Sequence, residues 1–212
     1  MPTALITGAS RGLGLALARA LSRDGWDLVL TARDGDALAA SAPPRAHLIP
    51  GDVSDAAHQR ELATHRVDLL VNNASMLGPM PALAAYPLEA LRRVLEVDLL
   101  APIGLTQLLL PHVGTVVNVT SDAGVEAYAG WGGYGLAKAA LDQATAVLAV
   151  ENPGVRFLSF DPGDLRTAMH QEAFPGEDIS DRPLPETVVP AFLRLLELPS
   201  GRYRAADLLV IA

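Results

Sequence analysis

The sequence has no cysteine among its 212 residues. Disulfides, thiolate-bound metals and cysteine nucleophiles are therefore excluded, and a cytoplasmic, reducing setting is expected. Positive charge is also short: 16 basic against 24 acidic residues give a formal net charge of −8. Nucleic acid and anionic membranes require clustered positive charge, so neither is expected as a partner. No targeting segment is read in MPTALITGASRGLG, which lacks a basic region ahead of its apolar stretch and is interrupted by Arg11. Between Asp98 and Asp122 no side chain is formally charged, yet Pro102, Gln107, Pro111, His112, Gly114 and Asn118 fall inside that span. A helix, a turn and a buried strand account for it better than a membrane crossing. Repeats, charge blocks and low-complexity tracts are absent. His47, His58, His65, His112 and His170 show no H-E-x-x-H or comparable spacing, so no metal site is expected. A G-x-S-x-G hydrolase elbow is missing too.

What is there is alternation. Short apolar runs at 4–7, 27–32, 46–50, 67–71, 115–120, 155–160 and 207–211 are separated by helix-patterned segments. Those helices are predicted after the first run and near 34–40, 54–64, 88–110, 133–150 and 186–197. Strands without in/out alternation imply burial on both faces, and intervening helices make the sheet parallel. The reading is one domain over 1–212, an α/β doubly wound Rossmann-type fold of about seven parallel strands flanked by helices on both faces. In such folds ligands sit beyond the carboxyl ends of the strands. Periodicity fades over 161–185, where prolines gather after a strand end. A lid over a bound ligand is expected there.

TGASRGLG, residues 7–14, follows the first strand and opens the first helix. Gly8 would permit the tight turn, Gly12 would let backbone approach a phosphate, and Gly14 would let the helix pack on the sheet. Ser10, Arg11 and Leu13 lie in the same turn. The helix N-terminus offers free N–H groups and a positive dipole end to a pyrophosphate.

The spacing T-G-x-x-x-G-x-G resembles that of the short-chain dehydrogenase/reductase family of nicotinamide-dependent oxidoreductases. Further pieces recur in order: Asp52-Val53 after the third strand, NNAS (72–75) after the fourth, Ser121 after the fifth, Tyr134-x-x-x-Lys138, and PGDLRT (162–167) after the sixth. The resemblance implies that Asp52 and Val53 meet the adenine, that Asn73 and Ala74 border the cofactor, and that Pro162, Gly163 and Thr167 flank the nicotinamide. It also implies Tyr134 as general acid or base, Ser121 as the group polarising the substrate oxygen, and Lys138 as the ribose ligand. Residues four apart on a helix share a face, so the Lys138 ammonium is expected to lower the Tyr134 phenol toward neutrality.

Ala32 stands where many NAD-dependent relatives carry an acid, followed by Arg33. With Arg11 in the glycine turn, this favours NADP(H), because guanidinium groups bind a 2′-phosphate; NAD(H) is the second choice. Two positions depart from the family pattern. Asp98 occupies the place of an asparagine that supports a water relay to the lysine, and Ser75 replaces a glycine. A carboxylate cannot donate a hydrogen bond while ionised. Asp98 thus leaves open pairing with Lys138, perturbation of the tyrosine, or a structural role. Tyr128, Trp131, Met76, Leu77 and Met169 are candidates for an apolar substrate pocket, and Arg166 or His170 for contact with a substrate anion. The expected function is an NADP(H)-dependent oxidoreductase interconverting a small-molecule carbonyl and a secondary alcohol. The alternative is a catalytically impaired regulatory or scaffold protein on the same fold. The resemblance also implies a homodimer or homotetramer through the helices near 88–110 and 133–150.

Overall fold

A computed structural model describes residues 1–210 of the chain. Its strands are β1 (Thr3–Thr7), β2 (Asp27–Thr31), β3 (His47–Leu48), β4 (Leu69–Asn72), β5 (Thr115–Val119), β6 (Arg156–Asp161) and β7 (Gly201–Arg204). The helices are α1 (Gly12–Arg23), α2 (Gly35–Ser41), α3 (Ala56–Leu62), α4 (Leu88–Leu95), α5 (Ala101–Leu109), α6 (Gly132–Glu151), α7 (Ala168–Ala173), α8 (Val189–Leu195) and α9 (Ala205–Leu209). All strands pair in parallel in the order β3-β2-β1-β4-β5-β6-β7. The chain winds outward from β1 to β3, returns to β4, and winds outward the other way. The direction therefore reverses between β1 and β4, which opens a crevice at their carboxyl ends.

Successive strand residues face opposite layers, and both layers are apolar. Ala4 and Ile6 pack with Leu17 and Leu21 of α1 and with Phe160 and Phe192. Leu5 packs the other way, with Leu62 of α3, Leu105 and Leu109 of α5, and Phe157. Two buried faces explain why these strands read as unbroken apolar runs.

Two elements differ from the sequence reading. The seventh strand is GRYR at 201–204, not DLLVI at 207–211. It is an edge strand with alternate residues exposed, so its pattern carries charge and no apolar run. Residues 205–209 instead form α9, burying Ala205 and Leu208 three apart on one face; residue 211 lies outside the described residues. The helix expected over 88–110 is interrupted by a π-turn at Glu96–Leu100. In a regular helix Pro102 would have to donate an N–H to the Asp98 carbonyl, and its ring would press against that oxygen. The wider turn avoids this and carries Asp98 inward to full burial. The segment 161–185 contains α7 and is tied back on itself, with the Arg166 N–H donating to the Pro183 carbonyl at 2.8 Å. No helix among the described residues is long and apolar enough to cross a membrane.

Candidate active site

At the crevice, the ends of β1 and β4 are locked together. Thr7 Oγ1 accepts the N–H groups of Asn73 and Ala74 at 3.0 and 2.9 Å, and Asn73 Nδ2 donates to the carbonyls of Thr7 and Gly8 at 2.8 and 3.2 Å. Gly8 turns the chain with φ 67°, where a Cβ would meet Ala74 Cα at 2.9 Å. A Cβ on Gly14 would meet the Gly8 carbonyl oxygen at 2.4 Å and Asn73 Nδ2 at 2.5 Å. The glycines thus bring α1 close under the turn, leaving its first-turn N–H groups facing the crevice. Asn73 lines the cleft but spends its amide on shaping this turn.

A cleft of about 1180 Å³ runs from Arg11 and Arg33 past the turn to the start of α6 and to α7. That exceeds the roughly 300–1,000 Å³ of a site for one drug-sized ligand, and suits a dinucleotide with a substrate beside it. Gly8, Ser10, Arg11, Gly12, Leu13, Arg33, Asp52, Val53, Asn73 and Ala74 line one end, and Ser121, Tyr134, Lys138, Pro162, Gly163 and Thr167 the other. Gly14 and Asp98 do not line it; both stand one layer behind. The donor set fits a nicotinamide dinucleotide. Arg11 and Arg33 make no side-chain hydrogen bond or ion pair among the described residues, and buried Thr120 Oγ1 has no partner beside the cleft. Asp52 is held in place by its surroundings: one oxygen accepts from Ser54 N and Oγ, the other from Arg93 on α4 at 2.5 Å. Burial works to raise its carboxyl, but the Ser54 and Arg93 contacts win and hold it below the ordinary range.

Ser121 follows β5 and caps a short 3₁₀ turn over Asp122–Gly124. Its hydroxyl donates to Asp122 Oδ1 at 2.9 Å and accepts from the Ala123 N–H at 3.2 Å. Tyr134 and Lys138 share the inner face of α6, with the ammonium 5.3 Å from the tyrosine ring centroid. Lys138 Nζ also donates to the Val119 carbonyl at 3.0 Å, fixing it against β5.

The expected acidification of Tyr134 is not what the protein's own groups produce. Burial raises the phenol above its ordinary range, the Asp98 and Asp161 carboxylates push the same way, and the Ser121 and Ser75 hydroxyls oppose them. Lys138 is itself lowered by burial, against the pull of Asp98 and Asp142. The physical reason is first the burial of the phenol and second the charge of the aspartate at position 98, which an asparagine would not carry.

Asp98 and Ser75, two separate departures in the sequence, form one unit. Ser75 Oγ donates to Asp98 Oδ2 and the Met76 N–H to Oδ1, both at 2.9 Å. Burial raises the Asp98 carboxyl, while Lys138, the Met76 N–H and Ser75 lower it less. Of the three roles left open for Asp98, direct pairing with Lys138 is replaced by these bonds, and the perturbation of Tyr134 is retained.

Sequence reasoning missed a network behind Ser121. Arg202 on β7 donates to the Ser121 carbonyl at 3.1 Å, to Asp161 Oδ2 at 3.2 Å and to Asp142 Oδ2 at 3.0 Å. Only the parallel pairing of β7 with β6 brings Arg202 there, and no local pattern signals it. Arg166 was a candidate for a substrate anion, but its guanidinium is turned to the carbonyls of Ser180 and Arg182.

The family described as short chain dehydrogenase matches residues 2–178. The chain is similar to the uncharacterized oxidoreductase YciK of Escherichia coli K12, 29% identical and covering 93% of this chain and 87% of that one. Among solved structures, a candidate short-chain dehydrogenase of Pseudomonas syringae superposes with a TM-score of 0.90 at 32% identity, covering 96% and 94% of the two chains. Another from Shigella flexneri 2a, complexed with NADP, gives 0.90 at 27% identity, covering 97% of each chain.

Proposed function

This chain belongs to the short-chain dehydrogenase family, and from that premise we propose that it is an NADP(H)-dependent oxidoreductase interconverting a carbonyl compound and a secondary alcohol. The carrying observation is the convergence of Ser121, Tyr134 and Lys138 on one end of a cleft whose other end is the glycine turn. Gly8, Ser10, Gly12 and the first N–H groups of α1 would hold the pyrophosphate, and Lys138 the nicotinamide ribose. When bound, the nicotinamide supplies a hydride in reduction and accepts one in oxidation. Ser121 would turn its hydroxyl, now directed to Asp122, to donate a hydrogen bond to the substrate oxygen, and so polarise the carbonyl while keeping its own proton. Tyr134 would donate its phenolic proton to that oxygen during reduction and recover one from it during oxidation. Burial keeps the phenol protonated at neutral pH, which is the form that reduction requires.

Residues 161–185 would cover the substrate, with α7 as the closing element. The exposed apolar side chains of Leu100 in the π-turn, Leu108 on α5, and Leu136 and Val147 on α6 support a homo-oligomer through the helices near 88–110 and 133–150. The regulatory alternative rested on Asp98, which lies behind the cleft and leaves the proton-bearing face of α6 intact.

Cofactor choice rests on Arg33 and Arg11, which line one end of the cleft and make no side-chain hydrogen bond or ion pair among the described residues, so that they would be available to a ribose 2′-phosphate. Charge-assisted hydrogen bonds to a phosphate are among the stronger ones. Titration of intrinsic or NADPH fluorescence at low salt should show Arg33→Ala weakening NADPH about 10-fold or more, with NADH nearly unchanged. Equal losses for the two cofactors would refute the phosphate assignment.

A further inference from the structure

Resting on the oxidoreductase reading above, we propose that the substrate is a ketone, or its alcohol, that bears an aromatic ring beside the reacting carbon and carries no negative charge.

The first observation is a run of rings that starts at the catalytic phenol. Trp131 stands edge-on to Tyr134, with centroids 5.9 Å apart and planes at 69°. On its other side Phe174, at the end of α7, lies 6.1 Å from Trp131, and His170 lies 4.9 Å from Phe174. The rings come from two segments, the start of α6 and the stretch around α7, and all of them line the cleft. Met169 packs with Leu77 against Tyr134 in the same place. Edge and offset ring contacts favour a further ring, and methionine sulfur favours a planar aromatic partner. Aromatic residues make up only 5% of this chain, so their gathering here is not a reflection of composition.

The second observation is the sign of the charge. Asp122, Asp164, Glu172 and Glu186 line this end of the cleft. Of the nearby cations, Lys138 donates to the Val119 carbonyl and is assigned to the nicotinamide ribose, and the arginines are engaged elsewhere. Arg166 is turned to backbone carbonyls, Arg182 pairs with Asp164 and Asp181, and Arg202 with Asp142 and Asp161. A carboxylate or phosphate on the substrate would meet carboxylates and find no guanidinium to receive it.

The third observation is His170. Its ring is only 8% exposed, Nδ1 faces Asp164 at 3.8 Å, and Nε2 has no partner among the described residues. A buried polar atom without a partner is costly and implies an absent one. Nε2 can meet one uncharged hydroxyl or carbonyl on the substrate. The reduction balances with the groups in hand: the carbonyl carbon gains the hydride of NADPH, its oxygen gains the Tyr134 proton, and solvent reprotonates Tyr134 as NADP⁺ leaves.

The test compares NADPH-dependent reduction of acetophenone, 4-acetylbenzoate and cyclohexyl methyl ketone at low ionic strength. Acetophenone should exceed the cyclohexyl ketone in kcat/KM by about 2- to 10-fold, the range of one aromatic contact. It should exceed the carboxylate by about tenfold or more. Trp131→Ala should bring acetophenone down to the level of the cyclohexyl ketone, and Trp131→Phe should restore part of the difference. Independently of turnover, acetophenone should quench Trp131 fluorescence in the NADP⁺ complex, leaving the emission of Trp26, packed on the far core layer, as background. Equal or better turnover of the carboxylate or the cyclohexyl ketone would overturn the substrate class and leave the oxidoreductase reading standing. Quenching with no turnover of any ketone would do the reverse. The absence of both quenching and a preference for acetophenone would overturn the ring site outright.

Discussion

Tyr134→Phe is expected to lower kcat for ketone reduction by about 10²–10⁴-fold, the usual contribution of a positioned general acid. The Kd for NADPH should stay within a small factor of the original. The variant removes one oxygen atom from a ring that is otherwise buried against Leu77, Ala123 and Trp131, so its packing is conserved. What disappears is the phenolic proton that α6 presents to the cleft. Stopped-flow absorbance of NADPH with excess ketone reads the chemical step, and fluorescence titration reads binding. A parallel loss of both would mean that the phenol holds the site together without exchanging a proton. Retained turnover would remove Tyr134 from the chemistry altogether.

The second large effect is expected from Gly14→Ala. The added methyl would stand 2.4 Å from the Gly8 carbonyl oxygen and 2.5 Å from Asn73 Nδ2. Neither can retreat easily. Asn73 is bonded to the Thr7 and Gly8 carbonyls, and Gly8 is itself closed in by Ala74. Overpacking of this kind costs about 1–3 kcal/mol. In a domain of this size that corresponds to a fall in Tm of roughly 2–12 °C. Because α1 must shift relative to the turn that would carry the pyrophosphate, the stabilisation of the protein by NADPH should largely vanish as well. Thermal melts with and without NADPH measure both effects. An unchanged melt with an unchanged cofactor shift would contradict the close packing of α1 under the turn.

The frame of this protein was legible because its signals are local. Apolar runs buried on both faces announce β1, β2, β4, β5 and β6, and the glycine turn and the Tyr134/Lys138 spacing sit within single elements. The seventh strand was not legible, since GRYR has one face in solvent and its pairing with β6 is fixed by distant contacts. DLLVI misled because a short apolar run suits a strand or one buried helix face equally well. The π-turn had a readable cause in Pro102, but its consequence, the inward placement of Asp98, depends on where Ser75 and Met76 lie. Likewise the two departures at positions 75 and 98 could be seen one at a time in the sequence, and only the fold joins them. The acidity of Tyr134 was the deepest miss: helix spacing puts an ammonium near the phenol, whereas burial and the Asp98 charge come from the tertiary structure.

The central claim is that the Tyr134 phenol carries the proton and that burial, reinforced by the Asp98 carboxylate, holds it above its ordinary range. The pH dependence of kcat/KM for NADP⁺-linked alcohol oxidation, compared between the unaltered protein and Asp98→Asn, tests this most directly. Oxidation needs the phenolate, so the rate rises with pH as the phenol loses its proton, and a carboxylate at position 98 opposes that loss. Removing its charge favours the phenolate while leaving Lys138, Ser121 and Asp161 in place. The account predicts that the alkaline rise moves to lower pH in Asp98→Asn and is absent from Tyr134→Phe. An inflection that stays where it was, or moves upward, would contradict it.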